Sequence, residues 1–249
     1  MIKIIQITDP HLLENKSELF RDVKPYETLK AIISNIKKSN WDFDIVIATG
    51  DLAQDNKKNS YNHFVDLLTS LNTPIYSIPG NHDDKGIMQS VLTKPLFHYC
   101  NELIMHNWLI IGIDSNKKDS PSGYISQEEF NRLRSSIESS DVEYIMIYLH
   151  HQPINVNSRW IDAIGLENKV ELYNILDNCN KIKGLFFGHT HQSIEMNYKD
   201  IQLIGTPSTC RQFKPNSDSF AMDNSPPAYR KIQLNNNGSI DTNVVWLNY

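Results

Sequence analysis

Cysteine is scarce in these 249 residues: Cys100, Cys179 and Cys210 are the only three, and no two stand in a C-x-x-C spacing. That excludes a disulfide-stapled scaffold and a zinc ribbon, and all three are expected to be small buried apolar residues. No apolar run approaches the ~18 residues of a membrane span. The apolar start, Ile2-Lys3-Ile4-Ile5-Gln6-Ile7, is too short for a signal peptide, has no small-residue cleavage site, and reads as a strand. Basic charge is also sparse. Lys and Arg total 24 against 29 Asp and Glu, a net charge of −5 with no basic cluster, which argues against a general binder of nucleic acid or anionic membranes. The expectation is a soluble cytoplasmic protein, monomeric by default, whose anionic substrate would have to be held by local charge such as bound metal ions.

What is present is an alternation of strand-length apolar runs with helical periodicity. Ile2–Thr8, Phe43–Thr49, Pro74–Pro79, Trp108–Asp114, Glu143–Leu149 and Ile182–Phe187 read as strands. Between them, Leu29, Ile32, Ile33 and Ile36, and then Phe64, Leu67, Leu68 and Leu71, recur at helical spacing. Ser126 followed by Glu129 is a capping-box start for a helix through about Ser139, and a further helix is expected near Glu167–Asn178. After Asp200 the pattern turns to antiparallel strands, Ile201–Ile204, Ala228–Leu234 and Ile240–Leu247, with a hairpin turn at Asn235–Gly238. A single domain over 1–249 is expected, strand-rich from 200 to 249. Its Pro- and Asn-containing stretch Lys214–Pro227 should be a surface loop near the site. Such alternation implies α/β layers with ligands at the carboxyl ends of the strands.

Five strand-ending segments carry metal-seeking residues: Asp9-Pro10-His11, Gly50-Asp51, Gly80-Asn81-His82-Asp83, His150-His151 and Gly188-His189-Thr190-His191. In extended chain, residues i and i+2 point the same way, so Asp9 with His11, and His189 with His191, can aim at one face. Asp51 offers two carboxylate oxygens and can bridge two cations. Asn81 supplies a neutral amide oxygen, and His82 could donate a proton near neutral pH. Of His150 and His151, which should point to opposite sides, His150 is favoured as the ligand. Asp9-Pro10-His11 and Gly50-Asp51 alone are also what an ordinary turn or helix cap would give, whereas a turn would hardly explain Gly80-Asn81-His82-Asp83, and Gly188-His189-Thr190-His191 is the most specific of the five. Six of the nine histidines fall in these motifs, however, while His63, His98 and His106 do not and are expected to be structural or surface residues.

The ordered set resembles the calcineurin-type metallophosphoesterase superfamily, which implies a four-layered α/β/β/α sandwich with antiparallel C-terminal strands. The resemblance also implies a ligand assignment. Asp9, His11, Asp51 and His191 would hold one ion, and Asp51, Asn81, His150 and His189 the second. His82 would stand beside the phosphate without touching metal. Further segments, among them Ala48–Asp55, Leu149–Pro153, Thr206–Cys210 and Gln212-Phe213-Lys214-Pro215, resemble the bacterial class III 3′,5′-cyclic AMP phosphodiesterases over nearly the whole chain. One departure is Gln152, where a third consecutive histidine would be typical; no loss of metal is expected from it.

That likeness implies hydrolysis of 3′,5′-cyclic AMP to 5′-AMP by a metal-bound hydroxide, with His82, Asp51 and Asn81 as the catalytic residues. His11, Asp51, Asn81, His82 and His191 would lie closest to the bound phosphate, and the Ser208-Thr209-Cys210-Arg211 turn would contribute to the pocket. Iron and manganese are the metals the resemblance suggests, and zinc or cobalt suit the same mixed N/O ligands. Competing readings are a broader phosphodiesterase acting on glycerophosphodiesters, 2′,3′-cyclic nucleotides or aryl esters, a non-catalytic scaffold of the same fold, and a protein phosphatase. The last typically has Asn-His-Glu where this chain has Asn81-His82-Asp83.

Overall fold

A computed structural model describes residues 1–247; the last two positions of the expected domain, 248 and 249, lie outside the described residues. In chain order the first half contains β1 (Ile2–Ile7), α1 (Pro25–Lys38), β2 (Ile45–Thr49), α2 (Lys58–Thr69), β3 (Ile75–Ile78), α3 (Lys85–Val91), β4 (Phe97–Tyr99), β5 (Glu102–Met105) and β6 (Trp108–Gly112). There follow α4 (Gln127–Ser139), β7 (Tyr144–Tyr148), α5 (Arg159–Asp162), α6 (Lys169–Asn178), β8 (Ile182–Phe187), β9 (Ile194–Tyr198) and β10 (Ile201–Gly205). The chain continues through β11 (Gln212–Phe213), β12 (Met222–Asp223), β13 (Ala228–Leu234) and β14 (Ile240–Trp246). No described helix is long and apolar enough to cross a membrane.

Two six-stranded mixed sheets, ordered β14-β13-β1-β2-β3-β4 and β5-β6-β7-β8-β10-β9, account for the architecture. The period-2 geometry of strands sends alternate side chains to opposite faces. Ile5, Ile7, Val46 and Ala48 therefore pack outward with Leu29, Ile32, Phe64 and Leu68 of α1 and α2. Ile2, Ile4, Ile45 and Ile47 face inward, joining Ile110, Met146, Tyr148 and Phe186 of the second sheet. On the far side, Ile145, Ile147 and Leu185 pack with Phe130 and Leu133 of α4 and Leu172 and Leu176 of α6. Three apolar interfaces thus separate four layers, helix, sheet, sheet and helix, as expected of the fold class.

Polar contacts also cross between the sheets. Gln6 of β1 donates to the Phe187 carbonyl (3.4 Å) and accepts from Thr206 Oγ1 (2.7 Å). Arg230 of β13, fully buried, donates to Thr206, Gly205, Thr242 and the carboxylate of Glu195 on β9. These bonds fix the stacking of the sheets and hence the separation of the strand ends. Of the cysteines only Cys210 is buried; Cys100 and Cys179 are partly exposed, contrary to the sequence expectation. The stretch Lys214–Pro227 is not wholly irregular, because β12 inside it pairs with β11.

Candidate binuclear metal centre

The strands β1, β2 and β3 run parallel in one sheet, and β7 and β8 run parallel in the other. Their carboxyl ends converge, and the loops that leave them carry every residue of the five motifs. Backbone bonds continue the parallel pairing into those loops: Asp9 N–H to Gly50 O and His11 N–H to Asp51 O, both 3.0 Å, and Gly188 N–H to His150 O, 3.1 Å. Gly50 lies at φ 93°, and a Cβ there would sit 2.5 Å from His150 Nδ1, so only glycine permits this approach of the two sheets.

The local geometry differs from the extended chain that spacing suggests. Asp9, His11, Asp51, His189 and His191 all have left-handed backbone, with φ between 48° and 62°. Asp and His tolerate that region better than most residues, yet each such position costs about 1–3 kcal/mol unless its surroundings hold it. The i, i+2 pairs do converge, but through successive left-handed turns rather than through strand alternation.

Hydrogen bonds from behind fix which atom of each side chain looks into the centre. Asp9 Oδ2 accepts from Thr8 Oγ1 and the His189 N–H, leaving Oδ1 buried without a hydrogen-bond partner. Asp51 Oδ1 accepts from the His82 N–H (2.8 Å), which leaves Oδ2 free. His11 Nδ1–H donates to Gln54 Oε1 (2.8 Å), His191 Nδ1–H to Arg211 O (2.6 Å) and His150 Nδ1–H to Thr49 O (2.7 Å). In the neutral ring each Nε2 is therefore a lone pair.

Those lone pairs crowd one another. His11 Nε2 and His191 Nε2 are 3.1 Å apart, and Asp9 Oδ1 is 3.2 Å from His191 Nε2. Asp51 Oδ2 lies 3.8 Å from His11 Nε2 and 3.5 Å from His150 Nε2. His150 Nε2 is in turn 3.2 Å from Asn81 Oδ1 and 3.3 Å from His189 Nδ1. Two sets of acceptors result, sharing Asp51 Oδ2. Metal bonds of about 2.0–2.2 Å set neighbouring ligand atoms about 3.0–3.5 Å apart, so the spacing suits a cation in each set. Asp9, His11 and His191, and Asp9, Asp51 and His150, lie close enough together to hold an ion, and two further triplets bring in His151 (with His150 and His189) and His82 (with His11 and Asp51). An unrelieved cluster of buried acceptors is otherwise costly, and the donor set fits two divalent ions.

The electrostatics agree. Burial pushes His11 down to about 3 and His189 well below its ordinary value, so both rings are neutral and ready to ligate. Burial opposes the charge on His150 too, but the adjacent Asp51 carboxylate overcomes it and raises the group to about 9. Burial likewise acts against ionised Asp9 and Asp51, yet the neighbouring His191 and His150 hold both carboxyls below the usual range. In the metal-free protein a proton on His150 supplies some of the positive charge that the cluster demands.

His151 is engaged on one side by Ser115, whose Oγ is 2.8 Å from its Nδ1, while its buried Nε2 has no hydrogen-bond partner. Its ring stands 4.7 Å from that of His189, and with His150 and His189 it forms a further triplet close enough to hold an ion. Burial, reinforced by His150, depresses it to about 3. His82 touches the centre through its backbone and through Gln54, whose Nε2 donates to His82 Nδ1 at 3.2 Å while Oε1 holds His11. Asp83, the last residue of its motif, accepts from the N–H groups of Leu52, Ala53 and Gly80, knitting the loops after β2 and β3. Burial, with the nearby Asp51 charge, raises Asp83 to about 7.

The Ser208–Arg211 turn does not line the pocket. Ser208 and Thr209 brace the Asp9 and Thr8 carbonyls from behind, and Arg211 orients His191. Gln152 donates to Ile161 O (2.8 Å), tying the His150–His151 turn to α5. His63 bonds the Glu14 carbonyl, His98 stacks on Tyr76 and His106 is exposed, all away from the centre. Gln54, Phe20 and Trp160 border the site and were not singled out from sequence. The available signal was weak: a polar residue three beyond Asp51, and lone aromatics in polar loops.

A four-layered α/β/β/α sandwich carrying paired acceptor clusters at its strand ends has the architecture and the donor groups of a phosphoesterase that works with two metal ions. The chain belongs to the calcineurin-like phosphoesterase family, a family of hydrolases whose model matches residues 2–193. It is 34% identical over 245 residues to the 3′,5′-cyclic adenosine monophosphate phosphodiesterase CpdA of Haemophilus influenzae, covering 98% of this chain and 89% of that protein. Against CpdA of Vibrio vulnificus the identity is 35% over 244 residues, with the same coverages. Among solved structures, a dimetal phosphatase from Danio rerio aligns with a TM-score of 0.65 at 13% identity, over 93% of this chain and 94% of that one, a likeness of fold.

Proposed function

We propose that the chain is a two-metal phosphodiesterase that hydrolyses 3′,5′-cyclic AMP to 5′-AMP. The observation that carries the reading is the pair of half-sites, each a set of convergent acceptors once His150 gives up its proton, joined at Asp51 Oδ2 beneath a cleft. The names of the two CpdA relatives, each matching across 98% of the chain, support the substrate.

In this reading Asp9, His11, Asp51 and His191 hold one ion, and Asp51, Asn81, His150 and His189 the other, with iron and manganese as the metals. When bound, two such ions neutralise phosphate charge and lower the pKa of water, which supplies the nucleophile. The protein groups prepare the rest. Arg211 and Thr49 carbonyls and Gln54 Oε1 hold the ligand rings in the tautomer that presents Nε2. Gln54 Nε2–H bonded to His82 Nδ1 leaves the proton of the neutral His82 ring on Nε2. That N–H donates a hydrogen bond to the departing 3′ oxygen and stabilises its charge, and the doubly protonated ring would protonate it outright. The same reading takes the protein as one domain over 1–249, cytoplasmic and monomeric, with a small cyclic nucleotide as its partner and the 214–227 stretch beside the site.

The test is hydrolysis of 3′,5′-cyclic AMP and of bis-p-nitrophenyl phosphate by metal-free protein reloaded with Mn²⁺ or Fe²⁺, with the product identified. Metal-dependent 5′-AMP at a rate well above the aryl ester is expected. Turnover of the aryl ester alone would overturn the substrate, and turnover of neither by metal-loaded protein would overturn the enzyme reading.

A further inference from the structure

We propose that the cleft above the metal centre is a recognition site for a planar nucleobase, gripped between Phe20 and Arg21 on one wall and Trp160 and Phe220 on the other. The proposal rests on the phosphodiesterase reading only for what lies on the floor, a phosphate; the walls are argued from their own geometry.

The cleft encloses about 170 Å³, with His11, Asp51, His82 and His191 among the floor residues. Its walls come from three separate parts of the chain: the loop between β1 and α1, the short α5, and the segment between β11 and β12. Trp160 packs edge-to-face with two rings, 5.0 Å from Phe213 and 5.2 Å from Phe220, with interplanar angles of 77° and 79°. Phe213 already lies flat on His191 at 4.0 Å, so this aromatic cluster continues directly into the ligand shell. Across the cleft Phe20 stacks on His11 at 4.9 Å. Both walls therefore rest on metal ligands.

Phe220 is 43% exposed, a large apolar ring left at the cleft mouth instead of in a core. Its face is covered by one flat group, the guanidinium of Arg21, at 4.5 Å, and the same guanidinium is 5.5 Å from Phe20. Arginine stacks on aromatic planes and on bases alike. A base entering the cleft can take the guanidinium's place on Phe220 while Arg21 moves to the outer face. Polar groups on the walls are few, so a flat π-system gains there what a polyol or a peptide would lose through unpaired polar groups. The small volume argues against an acyl chain or a polymer.

The experiment compares calorimetric binding of adenosine 5′-monophosphate, ribose 5-phosphate and inorganic phosphate to Mn²⁺-loaded protein. Ribose 5-phosphate reads the floor, and the monophosphate reads floor and walls together. Stacking on such walls should make the monophosphate bind roughly tenfold or more tighter than ribose 5-phosphate. In Trp160→Ala and Phe220→Ala that advantage should collapse while ribose 5-phosphate affinity is kept, and Phe220→Leu guards against simple misfolding. Equal binding of the two ligands to the unmodified protein, or equal weakening of both in the variants, would overturn the base site. Hydrolysis of cyclic AMP is scored separately. A base-dependent advantage without hydrolysis would keep the cleft and overturn the phosphodiesterase reading, and hydrolysis without the advantage would do the reverse.

Discussion

Asp9 Oδ1 lies 3.2 Å from His191 Nε2 and, though fully buried, has no hydrogen-bond partner. With the His191 Nδ1 proton committed to the Arg211 carbonyl, two acceptors face each other when the ring is neutral. Asp9→Asn would place an amide N–H where Oδ1 stands, while its oxygen keeps the bonds from Thr8 and His189. With the ring neutral the metal-free variant should gain about 1 kcal/mol of stability; with the ring protonated it should instead lose the attraction that holds the Asp9 carboxyl below its usual range. It should also lose the metal-induced stabilisation, about 2.7 kcal/mol for the parent at a hundred times Kd. Urea unfolding with and without Mn²⁺ measures both.

Metal binding should be coupled to proton release at His150. In the free protein Asp51 overcomes the penalty of burial and raises His150 to about 9, so at pH 7 a proton must leave before Nε2 can ligate. Apparent affinity should rise about tenfold per pH unit up to pH 9 and then level off from this group. The metal-free fold behaves oppositely. A raised imidazole pKa contributes stability that is fully present below the unfolded value near 6.5 and is lost as pH rises through 9. Calorimetry in buffers of different ionisation enthalpy would count the proton, and no release at pH 7 would contradict the coupling.

Asn81→Ala and His189→Ala each remove an atom next to His150 Nε2. Losing even an outer support of a metal ligand costs roughly 10–100-fold in affinity, so both variants should lose most activity at limiting metal. His63→Ala, whose ring bonds only the Glu14 carbonyl, should not. Activity titrated against Mn²⁺ compares all three.

Arg230 is fully buried, and among the described residues its one carboxylate partner is Glu195, 59% exposed. Glu195→Ala would leave the guanidinium with neutral acceptors alone. Removing one partner of a buried pair costs about 3–5 kcal/mol, less where one side is solvated; about 1–2 kcal/mol is expected here. Denaturant midpoints at constant m-value would measure it.

The strand ends were legible because apolar runs stop abruptly at Gly, Asp, Asn and His, and a buried parallel strand leaves that mark. Elements without it were not. β5 and β9 are largely exposed and show no apolar alternation, and α5, four residues long, carries no helical period. The ligand identities were likewise readable from residue type, whereas the left-handed backbone at Asp9, His11, Asp51, His189 and His191 was not, since it is imposed by the approach of two sheets. Phe20, Trp160 and Phe220 meet only in the folded chain, so no local pattern announces the cleft that they form.

The central claim is that the acceptor clusters flanking Asp51 hold two cations at once. Its most direct test is titration of metal-free protein with Mn²⁺, following bound metal and phosphodiester hydrolysis together. Two equivalents bound per chain, with full activity only after the second, is the predicted result. A single equivalent at saturation, or activity complete at one, would contradict it.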